Sequence, residues 1–590
     1  MEHIDSIKRL EKGYKYYWYY NEVDITPLLS IGYKLRIPLK ILEILIKRGI
    51  KNKEDLVIFI ESPLNKFLNP FDLKGVDKAV EKIYNALKEK QKICIYGDYD
   101  VDGITATSVL YLFLKEVGAN VTYYIPNSLR EGYSLNKNAI KILAKQNVDL
   151  LITVDCGINS YEEILIANSV GIDVIVTDHH KPNEHMSYSN ITIINPYRYD
   201  ETYPFKGLSG VGVIFKIILA LQYFLDKKGY FNKNIKRPKL INYLDLVSLG
   251  TIGDVSPLVS ENRIIVKHGL QLLSNNFART GIQELKKAIG LYHNNINVSH
   301  VSYMINPRIN AAARAGDSDY SVRLLTTKNI NEAKKLVTHL NEANKKRQYT
   351  EKQTLNDSLK KIDKYNLLEK DSALILYSHN WDPAIIGVIA SKILEYFNRP
   401  TVVVAFNNNI GKGSARSSKS FNLYKSIESL SKFLYEYGGH RNAVGLKIDY
   451  KYIKEFGVAF NDYVEKNLTG KYATSEITID AIIEPDDLTG EFIEWLEKLE
   501  PYGEGNPKPI LLMKDVNFIP PVKFTGKNND TLRGFIEKNN KVIEVVGYKM
   551  NNAKKEIKNL KNLDIIFTIE RTQWANDEIL IKLIDIKKAH

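Results

Sequence analysis

Three aspartates stand on alternate residues directly after an apolar segment of the chain. The run Lys92–Gly97 predicts a strand, and Asp98, Asp100 and Asp102 follow it. If this segment stays extended, side chains two residues apart point to the same side, so the three carboxylates can converge on one or two hard cations. A solvated acidic turn is the alternative. A calcium-binding EF-hand is excluded, because its twelfth loop position would be Val109 where a bidentate glutamate is required.

Three more apolar runs also lead into acids or histidines. The first run ends at Asp155 and the second at the sequence Asp178-His179-His180. The third, Leu246–Gly253, ends at Asp254. Any one aspartate could be only a helix N-cap. Four such segments together favour a shared site, because the ligands of an open parallel sheet gather at the carboxyl ends of its strands.

The adjacent histidines His179 and His180 indicate two different roles in the site. Neighbouring side chains diverge in an extended backbone, so one imidazole can ligate a metal while the other faces a different part of the site. That second imidazole can contact a phosphate or serve as an acid. A ligand set rich in oxygen with few histidines favours Mn²⁺ or Mg²⁺ over zinc.

Short β-branched runs alternate with helical patterns around these residues, which predicts a parallel α/β sheet. The predicted strands are 92–97, 120–125, 149–154, 173–177 and 191–194, and the predicted helices are 104–117, 136–146 and 159–170. Residues 1 to about 90 precede this domain and have helical apolar spacing. A polar, amphipathic stretch over 317–366 predicts a long connecting helix.

A second alternating unit follows, with strand 373–377, helix 384–397 and strand 401–406. The segment Gly411–Ser418 places small residues and backbone amides beside Lys412 and Arg416, which indicates a phosphate-binding loop; a polar hairpin is the alternative. It is not a Walker A loop, because Phe406 stands where the first glycine belongs. His440 lies in a glycine turn unless it points into a cleft.

Period-two alternation returns after about residue 475 and surrounds one helix, 488–499. This pattern predicts a small OB-type β-barrel that could stack single-stranded bases on aromatic side chains. The candidate aromatics are Phe518, Phe535 and Trp574. Trp574 could equally be a core or rim residue.

The composition is that of an ordinary globular protein. A chain of 590 residues predicts three to four domains. The formal net charge of +13 suits a polyanionic substrate, although charge for solubility explains it equally well. Cys94 and Cys156 form no CxxC pair, which excludes zinc ribbons and disulfide frameworks and indicates a reducing compartment. With no run of eighteen apolar residues, we expect a cytoplasmic protein.

On these motifs the chain resembles the DHH phosphoesterase superfamily and, within it, the RecJ family of bacterial single-strand exonucleases. The motifs that carry the resemblance span nearly the whole chain. They are Gly97–Gly103, Val154–Gly157, Thr177–His180, Gly250–Asp254, Ile305–Arg314, Gly413–Ser417, Gly438–His440 and Pro501–Pro507.

The resemblance implies a two-metal site. Asp155 would bridge the ions, Asp98 and Asp100 would hold one of them, and the other would be held by the set Asp102, His179 and Asp254. His180 would lie over the scissile phosphate. Residues implied to contact the substrate are Arg308 or Arg314 for the developing charge, Ser414 and Arg416 for the 5′-terminal phosphate, and Asn310, His440 and Arg130. The family often has arginine where this chain has Ser128, and Ala313 replaces a usual glycine.

The implied activity is a metal-dependent 5′ to 3′ exonuclease that degrades single-stranded DNA to mononucleotides in recombination and repair. Two divalent ions, Mn²⁺ or Mg²⁺, would lie about 3.5–4 Å apart. A cleft between the two α/β domains would admit one strand and exclude a duplex. Alternatives are a DHH hydrolase of short oligonucleotides or cyclic dinucleotides, and a non-catalytic DNA-binding replication scaffold.

The expected fold class is α/β, with two α/β domains joined by a long helix and a C-terminal β-barrel. The architecture comprises a helical lead-in (1–90), a parallel-sheet DHH domain (91–316), a connecting long helix (317–366), a DHH-associated α/β domain (367–468) and an OB-like barrel (469–590). We expect a monomer, with single-stranded DNA as partner and single-strand-binding protein and a helicase as candidate protein partners.

Overall fold

The computed structural model describes residues 9–127, 131, 134–183, 191–275, 278–293, 295–314, 316–418, 420–468, 476–526, 529–550, 562–571 and 579–589. The chain forms two compact units. The parallel-sheet unit contains Arg48–Asn344 and Glu494–Lys508. The barrel unit contains the residues before Arg48, together with Lys345–Ile493 and the residues from Pro509 onward.

The N-terminal segment begins with a β-hairpin and continues as helices. Its elements are β1 (Arg9–Lys12), β2 (Tyr17–Tyr20), α1 (Thr26–Leu35), α2 (Leu39–Lys47), α3 (Lys53–Glu61) and α4 (Val76–Lys88). The expected helical lead-in is therefore wrong for residues 9–20. Aromatic residues favour strands, and β2 gains a second partner by pairing in parallel with Glu476–Ile479.

A five-stranded parallel sheet lies at the centre of the parallel-sheet unit. Its strands are β3 (Lys92–Gly97), β4 (Asn120–Tyr124), β5 (Leu150–Val154), β6 (Asp173–Thr177) and β7 (Thr192–Ile194), in the order β4-β3-β5-β6-β7. The helices between them are α5 (Val101–Glu116), α6 (Lys137–Lys145) and α7 (Tyr161–Ser169). Every residue of β5 is buried, as expected for a central parallel strand.

Helices cover both faces of this sheet. Ile93 and Ile95 of β3 enter one apolar core with α4 and α5, whereas Cys94 and Tyr96 enter another with α6 and α7. This alternation follows from the period of two in a strand. The predicted parallel α/β sheet is confirmed.

Mostly helical chain follows the sheet. The helices are α8 (Gly210–Lys227), α9 (Leu244–Gly253), α10 (Ser260–Ser274), α11 (Thr280–Ala288), α12 (Val298–His300), α13 (Asn306–Arg314), α14 (Ser318–Thr326) and α15 (Ile330–Lys364). A π-helical turn, Val301–Ile305, directly precedes α13. The predicted long connecting helix is present as α15, which runs from one compact unit into the other.

The barrel unit contains a second α/β domain with a mixed sheet in the order β11-β12-β10-β9-β8. Its elements are α16 (Leu367–Lys370), β8 (Leu374–Ser378), α17 (Ile386–Phe397), β9 (Thr401–Asn407), β10 (Ile410–Arg416), α18 (Leu423–Ser429), β11 (Leu434–His440), β12 (Ala443–Asp449) and α19 (Ile453–Asn467). The β8–β9 pair is parallel and the other pairs are antiparallel.

The C-terminal strands form a barrel, which confirms the predicted OB-like fold. The elements are β13 (Glu476–Ile479), β14 (Ala481–Ile482), α20 (Gly490–Lys498), β15 (Leu511–Thr525), β16 (Thr531–Lys538), β17 (Lys541–Gly547), β18 (Leu563–Arg571) and β19 (Ile579–Lys588). A second pairing of β15, with β18, closes the sheet on itself. The hairpin β1–β2 is fixed to this barrel by Trp18, which is buried and donates its indole N–H to Asp585.

Candidate metal centre

The first three aspartates do not lie along one extended strand as predicted, and Asp98 and Asp100 fall in one group of potential ligands while Asp102 falls in another. Strand β3 ends at Gly97, and the helix α5 begins at Val101. Asp100 is the N-cap of α5, and its side chain accepts the backbone N–H groups of Asp102 and Gly103. Asp102 lies in the first turn of the helix. The capping bond explains the difference, because an aspartate that caps a helix ends the extended segment.

Asp155 and His179 come from the ends of the neighbouring strands β5 and β6. Asp155 has a left-handed backbone, with φ of 61°. The His179 Nε2 atom lies 3.1 Å from Oδ1 of Asp155 and 3.7 Å from a carboxylate oxygen of both Asp102 and Asp254. His179 thus connects the carboxylates of three different segments.

Asp254 follows a buried helix, α9, and not a strand. The apolar run before it is ambiguous in sequence, because a fully buried helix and a buried strand have the same composition. Here it packs between α5, α8 and α10. The hydroxyl of Ser256 donates to Oδ2 of Asp254 over 2.5 Å, which orients this carboxylate.

The potential ligands form overlapping groups whose donor atoms lie within 4.8 Å of one another. One group is Asp98, Asp100 and Asp155; another is Asp102, His179 and Asp254; a third is Asp155, His179 and His180. The first two groups correspond to the sets that the resemblance implied for two separate ions, except that Asp155, the implied bridge, is in the first group and not in the second. Their role as ligands stays a prediction, while their proximity is a property of the fold.

Glycines allow this close approach. A Cβ atom at Gly210 would lie 2.6 Å from Oδ1 of Asp155, and one at Gly250 would lie 2.8 Å from Oδ1 of Asp102. The first turn of α8 also holds Asp102, because the N–H groups of Gly210 and Val211 donate to its two oxygens over 2.6 and 2.9 Å. The helix end fixes the carboxylate and favours its negative charge.

The carboxylates are costly to ionise without a cation. Burial and the charge of Asp100 raise the pKa of Asp98 to about 8. Burial and neighbouring carboxylates raise the pKa values of Asp102 and Asp155 well above their usual range. Oδ1 of Asp98 is buried without a hydrogen-bond partner among the described residues, and Oδ1 of Asp155 has the nearby Nε2 of His179 but no hydrogen bond. Crowded, desolvated carboxylates with free oxygen atoms fit divalent cations, which supply the missing positive charge.

Asp178 has a role that the sequence did not assign. Its Oδ1 lies 2.7 Å from Nδ1 of His180 and also accepts two backbone N–H groups, while its Oδ2 accepts the N–H of Ile158. Asn195 donates to the carbonyl oxygen of His180. The ring of His180 is therefore held in one orientation at the edge of the centre. The aspartate of the Asp-His-His sequence was a possible signal for this role.

Helix α13 carries the predicted arginine and asparagine. Arg308 donates from Nε to Oδ1 of Asn341 over 2.6 Å and from Nη1 to the carbonyl of Met304. Oδ1 of Asn310 is buried without a hydrogen-bond partner among the described residues. The side chain of Arg314, like Ser128 and Arg130, lies outside the described residues.

The predicted phosphate-binding loop at 411–418 is instead largely the strand β10. Its backbone pairs with β9 and β12, so its amides are used in the sheet and cannot cradle a phosphate as predicted. The side chains remain available: Nη1 of Arg416 donates to Oγ of Ser414 over 2.9 Å. Ser414 borders a pocket of about 530 Å³ with Lys412 and Lys447.

Other predicted substrate residues lie on strands of the barrel unit. His440 is exposed at the end of β11 and pairs in register with Ala443, so it lies beside a hairpin turn. On the barrel, Phe535 is 47% exposed on β16 and Phe518 is half-buried on β15. Trp574 lies outside the described residues. Among the described residues, no helix is both long and apolar enough to cross a bilayer.

Comparisons with known proteins agree with this architecture. Residues 92–251 match the DHH family N-terminal domain, 370–466 the DHHA1 domain, and 479–584 the RecJ OB domain. The chain is 31% identical over 561 residues to the single-stranded-DNA-specific exonuclease RecJ of Bacillus subtilis, covering 95% of this chain and 69% of that one. It is 34% identical over 475 residues to Escherichia coli RecJ, covering 78% and 81%.

Solved structures give the same result. The crystal structure of RecJ from Thermus thermophilus in complex with Mn²⁺ matches with a TM-score of 0.80 at 27% identity, covering 97% of this chain and 80% of that one. The Mg²⁺ complex of the same protein matches with a TM-score of 0.75 at 26% identity, covering 97% and 78%. The predicted resemblance is confirmed, and the chain belongs to the RecJ family of single-stranded-DNA-specific exonucleases.

Proposed function

We propose that the protein is a two-metal exonuclease that removes mononucleotides from the 5′ end of single-stranded DNA. The observation that carries this proposal is the presence of two groups of potential ligands in one acidic centre. One group is Asp98, Asp100 and Asp155, and the other is Asp102, His179 and Asp254. Mn²⁺ or Mg²⁺ bound there would activate water and neutralise charge on the phosphate. The similar RecJ structures from Thermus thermophilus are complexes with Mn²⁺ and with Mg²⁺, which supports the choice of these metals.

The side chains around this centre divide the remaining work. His180, held through Nδ1 by Asp178, contacts the scissile phosphate. Arg308 or Arg314 supplies positive charge where negative charge develops. Asn310, whose buried amide oxygen has no hydrogen-bond partner among the described residues, orients the substrate.

The barrel unit supplies the recognition of the DNA end. Ser414 and Arg416, joined by a hydrogen bond, bind the 5′-terminal phosphate, and an arginine guanidinium suits the geometry of a phosphate. We include His440 and Arg130 among the substrate contacts on the resemblance alone. The exposed Phe535 fits a stacking role on the barrel.

Two alternatives find less support. A hydrolase of short oligonucleotides or cyclic dinucleotides does not account for the RecJ OB domain matched at 479–584. A non-catalytic scaffold does not account for the complete set of acids at the centre. Cleavage of a long labelled strand from its end tests the proposal, because neither alternative shortens such a strand progressively.

We further propose a monomer that acts in the cytoplasm in recombination and repair, alongside single-strand-binding protein and a helicase. The buried, unpaired Cys94 and Cys156 support a reducing compartment. For the domain limits we propose 1–90, 91–316, 317–366, 367–468 and 469–590, supported by the three matched ranges. Within the last domain, Glu494–Lys508 packs with the parallel-sheet unit.

A further inference from the structure

The loop that carries Asp254 is strained. Residues 254–259, the Asp254 loop, connect α9 with α10. Val255 within it has a φ of 60° and is 65% exposed. A β-branched residue in the left-handed region is unfavourable and persists only where its surroundings fix the backbone. Contacts of the loop with its surroundings must therefore fix the backbone beside Asp254.

Besides neighbours such as Asn262, which donates to the carbonyl of Pro257, a distant part of the sequence contacts this loop. Residues 500–507, the brace segment, contain the Pro501–Pro507 motif that the proposed chemistry leaves without a role. The backbone N–H of Leu258 donates to the carbonyl of Glu504 over 2.7 Å. Gly505 is left-handed, with φ of 73°, and a Cβ atom there would lie 3.1 Å from Cβ of Pro257. The brace segment thus lies directly against the Asp254 loop.

The brace segment is itself fixed to the parallel-sheet unit. Arg263 on α10 is 2% exposed and stacks over the ring of Phe59 at 3.8 Å. Its Nη2 donates to the carbonyls of Leu499 and Glu500 over 3.0 and 2.8 Å, and its Nε to the carbonyl of Phe59 over 2.6 Å. Asn506, also buried, donates to the carbonyl of Leu499. Because these donors satisfy the buried carbonyl groups of the segment, they hold its backbone in one conformation.

We propose that the brace segment positions Asp254 as a metal ligand, so that Glu500–Pro507 is a structural part of the metal centre and not of the DNA-binding barrel. The inference rests on the proposed two-metal function. It assigns positioning roles to Gly505 and Arg263, which act through the Asp254 loop. Disturbing this contact lowers the affinity for the ion that Asp102, His179 and Asp254 would hold. The affinity for the ion that Asp98 and Asp100 would hold stays the same.

Gly505→Ala tests this, with Gly290→Ala as its matched control. Both glycines are left-handed, with φ of 73° and 75°, but a Cβ atom at Gly290 meets nothing within 4 Å. Both variants therefore carry the same backbone strain, and only the first pushes on Pro257. Mn²⁺ binding to the full chain is measured by calorimetry without DNA. We expect one of the two Mn²⁺ sites to lose about tenfold in affinity in Gly505→Ala alone, while the other keeps its affinity.

Gly503→Ala is a second variant, because a Cβ atom there would lie 2.6 Å from the flexible end of Leu258. We expect the affinity of the same Mn²⁺ site to fall, by a smaller factor than in Gly505→Ala. If both variants bind Mn²⁺ as Gly290→Ala does, the brace segment does not position Asp254 and the inference is overturned. A lower melting temperature in these variants would then show that the segment stabilises the fold without affecting the metal centre. If the unaltered protein binds no Mn²⁺, the proposed function itself fails, which is a separate outcome.

Discussion

The Nδ1 atom of His180 lies 2.7 Å from Oδ1 of Asp178, a carboxylate that is itself fixed by three backbone N–H groups. Burial lowers the pKa of His180, but the hydrogen bond and charge of Asp178 outweigh it and raise the pKa to about 9. The pair fixes the imidazole at the edge of the centre and favours its protonated form. This arrangement parallels the aspartate that orients histidine in hydrolase triads.

Asp178→Asn is therefore expected to lower kcat by about 10²-fold or more, since the amide no longer fixes the orientation and charge of His180. Steady-state kinetics on a labelled single strand measure the effect. Mn²⁺ affinity, measured by calorimetry, is expected to change little, because Asp178 is not in a predicted ligand group. Unchanged kcat would exclude the orienting role of Asp178.

Gly210→Ala is expected to disrupt the centre. Its Cβ atom would lie 2.6 Å from Oδ1 of Asp155, so either the carboxylate or the first turn of α8 has to move. We expect a fall in kcat of about 10²-fold and weaker Mn²⁺ binding. Gly212→Ala, two residues along the same helix, is the control, because its Cβ atom has contacts no closer than 3.4 Å. Equal activity in the two variants would contradict the crowding argument.

Arg416→Lys tests the recognition of the 5′ end. Lysine keeps the charge but loses the forked donors of a guanidinium, which costs about 1–3 kcal/mol at a phosphate. We expect kcat/KM to fall by about tenfold or more on a strand with a 5′-phosphate and to change little on one with a 5′-hydroxyl. Equal losses on the two strands would argue against a contact with the terminal phosphate.

Asp585 gives a prediction for stability against pH. Burial raises its pKa, although hydrogen bonds from Trp18 and backbone N–H groups oppose this. Its folded pKa therefore exceeds the unfolded value of about 3.9. The stability it contributes is full below that value and is lost as the pH rises through the folded pKa. We expect the unfolding free energy of the unaltered protein, relative to Asp585→Asn, to fall as the pH rises above about 4.

Urea denaturation of both proteins at each pH measures this difference, with all other conditions held constant. The amide introduced by Asp585→Asn does not titrate, so the comparison isolates the carboxyl group. A relative stability that rises with pH would show that the hydrogen bonds outweigh burial at this site.

Local sequence patterns predicted the parallel sheet well. The strands β3 to β7 have clear β-branched runs separated by helical spacing, so their bounds agree closely with the predicted ones. Several acids predicted at strand ends lie close together, and their role as metal ligands stays a prediction. The motif Asp98-Tyr-Asp100-Val-Asp102 was predicted to converge, although its geometry is a helix cap and not an extended strand.

Tertiary context decided the rest. The run before Asp254 fits a buried strand or a buried helix equally well, and only its packing against α5, α8 and α10 settles the matter. The segment 411–416 looks like a loop because it is rich in glycine, yet two partner strands extend it. The contact between Gly505 and Pro257 joins residues far apart in sequence, so no local pattern reveals it.

The central claim, a metal-dependent exonuclease with 5′ to 3′ polarity, is tested most directly by one experiment with Mn²⁺ and a long single strand labelled at either end. The proposal predicts that the 5′ label appears at once as mononucleotide, while the 3′-labelled strand shortens progressively. Asp155→Ala is expected to abolish both signals while single-strand binding persists. Early release of the 3′ label, internal fragments, or cleavage retained in Asp155→Ala would contradict the account.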